Sequence, residues 1–205
     1  MKHLRTATLS GDAEINGAIA ALVLAFAADP VARWMYRSPD QYLLHIPRLF
    51  RALGAGSFEA DAVHRSANGA GVAIWFPPGV HGDTELVEAV IADSVARDMQ
   101  GDIGAVFEMT EHHRPSEPHW YLSLIGVDAL HQNQGYGAAL LEHALYYCDR
   151  EHRDIFGLQT SKIRRFIKDT ALKLSQHSRL ARRRPFFRCC GVHADLRSNF
   201  YKHMN

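Results

Sequence analysis

The chain has 205 residues, enough for one ordinary domain or one domain with a tail. Hydrophobic residues make up 47% and charged residues 22%, a balance typical of a globular protein with a buried core. The formal net charge of +1 gives no overall electrostatic reason to expect a nucleic acid or an anionic membrane as partner.

The N-terminal segment predicts a strand followed by a helix. Residues 4–12 read as a short strand, and Ser10 or Asp12 is expected to cap a helix over roughly residues 13–28. The run "AIAALVLAFAADP" resembles a signal-peptide core, but Asp12 and Glu14 precede it where a signal peptide is basic. The run is also too short to span a bilayer. We therefore expect a buried amphipathic helix.

The rest of the chain predicts helices on a mixed sheet. Periodicity and turn residues indicate a helical stretch "VARWMYRS", a helix over 40–56 ending at Gly54 and Gly56, and a hairpin over 61–79. A helix Glu85–Met99 and a polar loop "EHHRPSEPH" are expected next. A strand "WYLSLIGVD" and a helix over 135–152 follow. This order predicts an α/β fold in which a mixed central sheet is flanked by helices.

One stretch, "LSLIGVDALHQNQGYGAALLEHAL", carries a chemical signal. A buried strand ends near Val127, and a helix begins on a turn that contains Gln132, Gly135 and Gly137. Glycines let the backbone approach a ligand, and bare amides at a helix N-terminus form an anion site suited to a pyrophosphate. No lysine follows the second glycine, and the third glycine of the dinucleotide fingerprint is missing. The alternative is a glycine-started helix that packs on the sheet without binding a ligand.

The pattern from Pro118 through Leu140 resembles the coenzyme A-binding motif of the GNAT N-acyltransferase superfamily, in the branch that contains puromycin N-acetyltransferase. The resemblance covers about residues 1–152 and implies the acyl-CoA N-acyltransferase fold. It implies acetyl-CoA as co-substrate, a primary amine of a small molecule or protein as acceptor, and no metal. Strand backbone near Leu124–Ile125 would polarise the thioester carbonyl.

The resemblance also assigns binding roles. The backbone of the strand end would align the pantetheine arm, and the amides at the helix start would hold the pyrophosphate. These residues are Ile125, Gly126 and Val127 for the arm, Gln132 within the motif, and Gln134, Gly135, Tyr136, Gly137 and Ala138 for the pyrophosphate.

Other side chains are weaker candidates. Glu108 is a candidate general base, although an ordinary exposed carboxylate is the commoner role for such an acid. A loop with His112, His113 and His119 lacks metal-ligand spacing, so we expect a solvated loop. The aromatic side chains at strand and helix positions, which could line an acceptor pocket, are expected to be core: Trp34, Tyr36, Trp75 and Trp120.

The C-terminal part does not fit the resemblance. We divide the chain into an incomplete acetyltransferase domain, residues 1–152, and an aberrant basic tail, residues 153–205, and we expect the closing strands to be missing or replaced by an irregular tail. A marginal helix is expected around 160–175. The family's thiolate-protonating tyrosine has no counterpart there.

A frameshift would explain this loss. When the third base of each codon is read with the first two bases of the next, synonymous codons for residues 158–174 can spell "SNxxNPxVYQRHGFEV", the missing segment. We therefore hypothesise an insertion or deletion near codons 150–156. The alternative is a genuine basic arm, with Arg182–Arg184 binding nucleic acid or a membrane.

The sequence thus predicts an N-acetyltransferase that uses acetyl-CoA, impaired or inactive as written, with no nucleic-acid or membrane partner. The three cysteines, Cys148, Cys189 and Cys190, have neither disulfide-framework nor zinc spacing, which favours a cytoplasmic setting. A non-catalytic acyl-CoA-binding or interaction module is the competing class, and a nucleic-acid-binding protein is the third. The acceptor and the oligomeric state stay open.

Overall fold

The computed structural model describes residues 6–9, 11–112, 114–151, 154–158 and 187–190. The strands of this part are β1 Thr6–Thr8, β2 Val63–Ser66, β3 Gly71–Phe76, β4 His119–Val127, β5 Asp154–Leu158 and β6 Phe187–Cys190. Its α-helices are α1 Asp12–Ala25, α2 Pro30–Met35, α3 Pro39–Leu53, α4 Ala55–Glu59, α5 Thr84–Ser94, α6 Arg97–His112 and α7 Tyr136–Glu151. A 3₁₀ turn covers Ala129–His131.

The strands form one mixed sheet in the order β1-β2-β3-β4-β5-β6. Neighbours from β1 to β4 are antiparallel, whereas β5 is parallel to β4 and β6 is parallel to β5. The helix α7 connects β4 to β5, as a parallel pair requires. The predicted fold class, a mixed sheet flanked by helices, is confirmed.

Apolar side chains fill the space on both faces of the sheet. One cluster joins α1, α3 and α5 to β3, and a second joins α7 to β3, β4 and β5. The α7 positions that enter the second cluster recur at helical spacing: Leu140, Leu141, Ala144, Leu145 and Cys148. Tyr36 and Trp75 are fully buried, which confirms that they belong to the core. Trp34 and Trp120 are partly buried and pack against the two clusters.

The start of α1 differs from the prediction. Asp12 is the first residue of the helix, Gly11 is the N-cap with φ +87°, and no side chain caps the helix. Capping by Asp12 is therefore wrong, and Ser10 lies outside the described residues. The next helix has a cap that was not predicted from the sequence: Asp29 accepts hydrogen bonds from the amides of Val31 and Ala32, both at 3.0 Å.

Two further helix predictions need correction. The helix over 40–56 ends at Leu53 as expected, but Gly56 lies inside the separate helix α4. The helix expected over 85–99 is two helices, because Val95 adopts an extended conformation after α5. The second of these, α6, runs to His112, into the segment that was expected to be loop.

The expectation that usable strands are absent after α7 is wrong for two segments. β5 pairs with β4 from Asp154 onward, and its Ile155 and Phe156 are buried. β6 then pairs with β5. The predicted helix around 160–175 and the Arg182–Arg184 run lie outside the described residues, and the division after residue 152 stays a prediction.

The described helices do not include one that combines the length and the hydropathy needed for a bilayer span.

Candidate functional site

The central strand β4 has one edge that is only half covered in the described part of the chain. β3 pairs with β4 along Tyr121–Val127, but β5 pairs only with His119–Leu122. The strands β4 and β5 therefore separate after Leu122. The second half of β4 offers main-chain groups along this open edge, where an extended ligand can add like a strand.

Hydrogen-bond alternation identifies which residues face the open edge. The Asp128 amide donates to the Ala70 carbonyl at 2.8 Å, so this opposed pair is hydrogen-bonded toward β3. In an antiparallel ladder, hydrogen-bonded and non-hydrogen-bonded pairs alternate. The pair of Gly71 and Val127 is therefore not hydrogen-bonded, whereas in the pair of Val72 and Gly126 the main-chain groups of Gly126 point toward β3. The N–H and C=O groups of Ile125 and Val127 consequently point to the open edge.

A β-bulge marks the point where β4 leaves β5. Ile74 pairs with Leu124 and Trp75 pairs with Leu122, so Ser123 is the extra residue on β4. The Ser123 hydroxyl donates to the Leu53 carbonyl at 3.1 Å and ties the bulge to the end of α3. Bulges bend a strand and increase its twist. The bulge lies next to Leu122, the last residue of β4 that pairs with β5.

Gly126 allows α1 to lie close to β4. A Cβ atom at this position would lie 2.7 Å from the Ala25 Cβ and 3.1 Å from side-chain atoms of Leu22 and Phe26. A side chain therefore does not fit unless α1 moves away. This packing explains the glycine without a ligand, a role that the motif alone did not reveal.

We expect Gly126→Ala to lower the free energy of unfolding by about 1–3 kcal/mol, because the added methyl group overpacks the α1–β4 contact. Urea unfolding measures the change. The matched control is Gly101→Ala on α6, where an added Cβ has no neighbour within 4 Å and should leave stability unchanged or raise it by about 0.5–1 kcal/mol. Equal stability of Gly126→Ala and the wild type would contradict the packing argument.

The first turn of α7 presents main-chain amides at the end of the open edge. The loop before it needs left-handed backbone at Asn133, with φ +61°, and at Gly135, with φ +90°. The helix starts at Tyr136, so the amides of Tyr136, Gly137 and Ala138 precede the first acceptors within the helix. No described side chain accepts a hydrogen bond from them. With the helix dipole, they make the start of α7 electropositive.

Asp128 holds the loop between β4 and α7. Its carboxylate accepts from the Leu130 amide at 3.1 Å and lies 3.0 Å from Nδ1 of His131. The capping role of Asp128 was not predicted, although an aspartate directly after a strand and before a helical turn is a recognised capping signal. The 3₁₀ turn owes its shape to these contacts.

Two glutamine side chains also support the loop. Gln132 donates from Nε2 to the Val127 carbonyl at 3.1 Å, and Gln134 donates to the Leu130 carbonyl at 3.3 Å. The motif glutamine therefore binds the end of β4. Residues 128–140 include neither lysine nor arginine, so this segment supplies positive potential at the start of α7 through its main-chain dipoles.

The remaining candidate side chains lie on α6 and at the start of β4. Glu108 is exposed on α6. His112 is exposed at the end of α6, and His113 lies outside the described residues. His119 opens β4, with its Nδ1 2.8 Å from the Glu117 carbonyl. Across the described ranges, three or more potential metal-ligating side chains do not come together.

Two comparisons relate this arrangement to known proteins. The model of the acetyltransferase (GNAT) family matches residues 84–162, which include β4, the loop, α7 and β5. A crystal structure from Corynebacterium glutamicum, described as histone acetyltransferase HPA2 and related acetyltransferase, is similar to the chain with a TM-score of 0.57 and 22% identity. The alignment covers 82% of this chain and 84% of that chain. The chain therefore has the fold of these acetyltransferases.

Proposed function

We propose that the chain is a GNAT-type N-acetyltransferase, in the branch resembling puromycin N-acetyltransferase, that transfers an acetyl group from acetyl-CoA to a primary amine. The observation that carries this proposal is that the open edge of β4 leads directly to the bare amides of α7. An extended arm that ends in a diphosphate matches both features. The family match over residues 84–162 supports the same ligand.

The residues of the site have the following proposed roles. The amides of Gln134 through Ala138 bind the pyrophosphate, and the outward main-chain groups of Ile125 together with the Val127 amide align the pantetheine arm. Gly126 contributes through close packing rather than through its own amide. Gln132 holds the end of β4 in place.

The proposed chemistry is direct transfer. Main-chain donors near Leu124–Ile125 polarise the thioester carbonyl, and the neutral amine attacks its carbon. The C–N bond forms, the C–S bond breaks, and the amine proton passes to a base, for which Glu108 is the proposed residue. The departing thiolate needs a proton, and the family's tyrosine for this step has no counterpart in the chain as written.

A substitution that strains the backbone at Gly135 tests whether the amides at the start of α7 bind the pyrophosphate. We expect Gly135→Val to raise the Kd for acetyl-CoA about tenfold or more, because valine disfavours φ +90° and shifts the first turn of α7. Isothermal titration measures the affinity. Gly11→Val is the matched control, since Gly11 is also a helix N-cap and has φ +87°.

Both variants should lose similar stability, and only Gly135→Val should lose affinity. Failure of the wild-type chain to bind acetyl-CoA would refute the proposed function. If both variants bind acetyl-CoA as tightly as the wild type does, the amides of α7 do not take part in binding.

A non-catalytic acyl-CoA-binding module is the second candidate, favoured by the missing tyrosine. A thiol-release assay with a panel of primary amines separates the two classes, because a binding module releases no coenzyme A. We propose cytoplasmic action, in keeping with the cysteine spacing.

A further inference from the structure

The turn between β2 and β3 touches the α7 site at two points. The Ala70 carbonyl accepts from the Asp128 amide at 2.8 Å. Asn68 donates from Nδ2 to the Tyr136 hydroxyl at 2.9 Å, across 68 positions of sequence. The turn therefore supports both ends of the loop that leads into α7. No motif in the sequence indicated this connection.

The Asn68 side chain is held in one orientation. Its Oδ1 accepts from the Ser66 hydroxyl at 2.9 Å and from the Ala70 amide at 3.2 Å. A main-chain amide can only donate, so this contact fixes which end of the Asn68 amide group faces the turn. The NH₂ end is thereby directed to Tyr136. The Ser66 hydroxyl in turn accepts from the Gly71 amide at 2.9 Å.

Tyr136 is contacted from two sides. It is the first residue of α7, and its own amide is one of the bare donors. Its hydroxyl contacts Asn68, and the His131 ring lies edge-on to its ring with centroids 6.3 Å apart. His131 is itself paired with Asp128. These contacts restrict the rotation and tilt of the first helical turn before any ligand binds.

We infer that Asn68 is a positioning residue for the coenzyme A diphosphate, acting through the Tyr136 hydroxyl on the amides of Tyr136 through Ala138. The inference rests on the proposed function and extends the site to the β2–β3 turn. Amides fixed in the ligand-free protein bind an anion without first being ordered. Loss of the contact should therefore weaken affinity for coenzyme A.

The test compares Tyr136→Phe, Asn68→Ala and the double variant in the full-length chain. Each single variant should raise the Kd for coenzyme A about threefold to tenfold, the range for one modest hydrogen bond. The double variant should bind no more weakly than Asn68→Ala, because both changes break the same contact. Tyr146→Phe is the control, since Tyr146 is a largely exposed tyrosine of the same helix and the change keeps its ring beneath Arg150.

Amide hydrogen exchange of the ligand-free protein provides a second readout. The Ala139 amide, which donates to the Gly135 carbonyl at 3.0 Å and closes the first turn of α7, should exchange faster in Tyr136→Phe than in Tyr146→Phe at an unchanged Tm, which a merely structural role would not produce. If the wild type binds coenzyme A and Tyr136→Phe binds equally well, only this inference fails. Additive losses in the double variant also overturn it. A wild-type chain that does not bind coenzyme A overturns the proposed function as well.

Discussion

Restoring the reading frame after about codon 153 is expected to raise acetyl-CoA-dependent turnover at least about a hundredfold over the chain as written. The shifted frame permits only tyrosine or histidine across the codons of Phe166 and Ile167, where the resemblance requires the thiolate-protonating tyrosine. Proton transfer by a positioned side chain typically contributes about 10²–10⁴ in rate. We propose that the chain lost this group through an insertion or deletion near codons 150–156.

The experiment begins with the nucleotide sequence of independent clones. Chains are then expressed in both frames and compared for binding of acetyl-CoA and for thiol release with primary amines. We expect both chains to bind, since β4 and α7 precede the break, and only the restored chain to turn over rapidly. In the restored chain, replacing the regained tyrosine by phenylalanine should return turnover to the level of the chain as written.

Two outcomes contradict the frameshift. The first is an intact frame in independent clones together with rapid turnover by the chain as written. The second is a restored chain that folds and binds acetyl-CoA but gains no turnover, which would favour a binding module. Strongly salt-dependent binding of DNA by the chain as written would instead support the basic arm.

Local patterns predicted the elements that are strongly periodic. β4 and α7 were expected because a continuous apolar run precedes a glycine turn and an amphipathic repeat, and both are present. The hairpin of β2 and β3 followed from the turn residues around Gly69, which has φ +74°. These signals lie within a few residues of the structure they specify.

The break between α5 and α6 had no comparable signal. Val95 leaves the helix without a neighbouring glycine or proline, and the following segment carries Gly101 and Gly104 in a helix interior, where propensity is poor. Packing of Met99 and Ile103 into the core overrides that preference. The helix predicted over Glu85–Met99 therefore includes both the end of α5 and the start of α6.

Long-range contacts determined the parts of the site that the sequence did not predict. The steric need for Gly126 comes from Ala25, about a hundred positions earlier, and Tyr136 is held by Asn68 of another element. The motif located the amides of α7, but the separation of β4 from β5 depends on a pairing register that only the folded chain reveals. Motif spacing thus predicted a ligand class, and tertiary packing determines the geometry.

Two neighbouring histidines, His64 on β2 and His143 on α7, should make the fold sensitive to acid. His64 on β2 is only 7% exposed, and its ring lies edge-on to that of His143 with centroids 4.5 Å apart. Burial, with a smaller contribution from His143, lowers the pKa of His64 from 6.5 to about 4, and burial also lowers the pKa of His143. Within the described residues Nδ1 of His64 has no hydrogen-bond partner, so charging this ring is costly.

Because both histidine pKa values are lowered in the folded chain, acid should destabilise the fold. In the unfolded chain His64 binds a proton near pH 6.5, whereas the folded chain keeps it neutral until about pH 4. The contribution of neutral His64 to the free energy of unfolding is complete above pH 6.5 and is lost as the pH falls to about 4. The loss amounts to about 3 kcal/mol. His143 adds to the loss in the same direction, because its pKa is also lowered.

Urea unfolding of wild type and His64→Phe between pH 7.5 and pH 4.5 tests this expectation. Phenylalanine keeps a ring at the site and removes a polar atom that lacks a partner, so the variant should fold and its stability should fall much less steeply with acid. His81→Gln, in an exposed loop, is the control and should retain the wild-type slope. If His64→Phe retains that slope as well, His64 titrates normally in the folded chain, and the acid sensitivity comes from other groups, His143 among them.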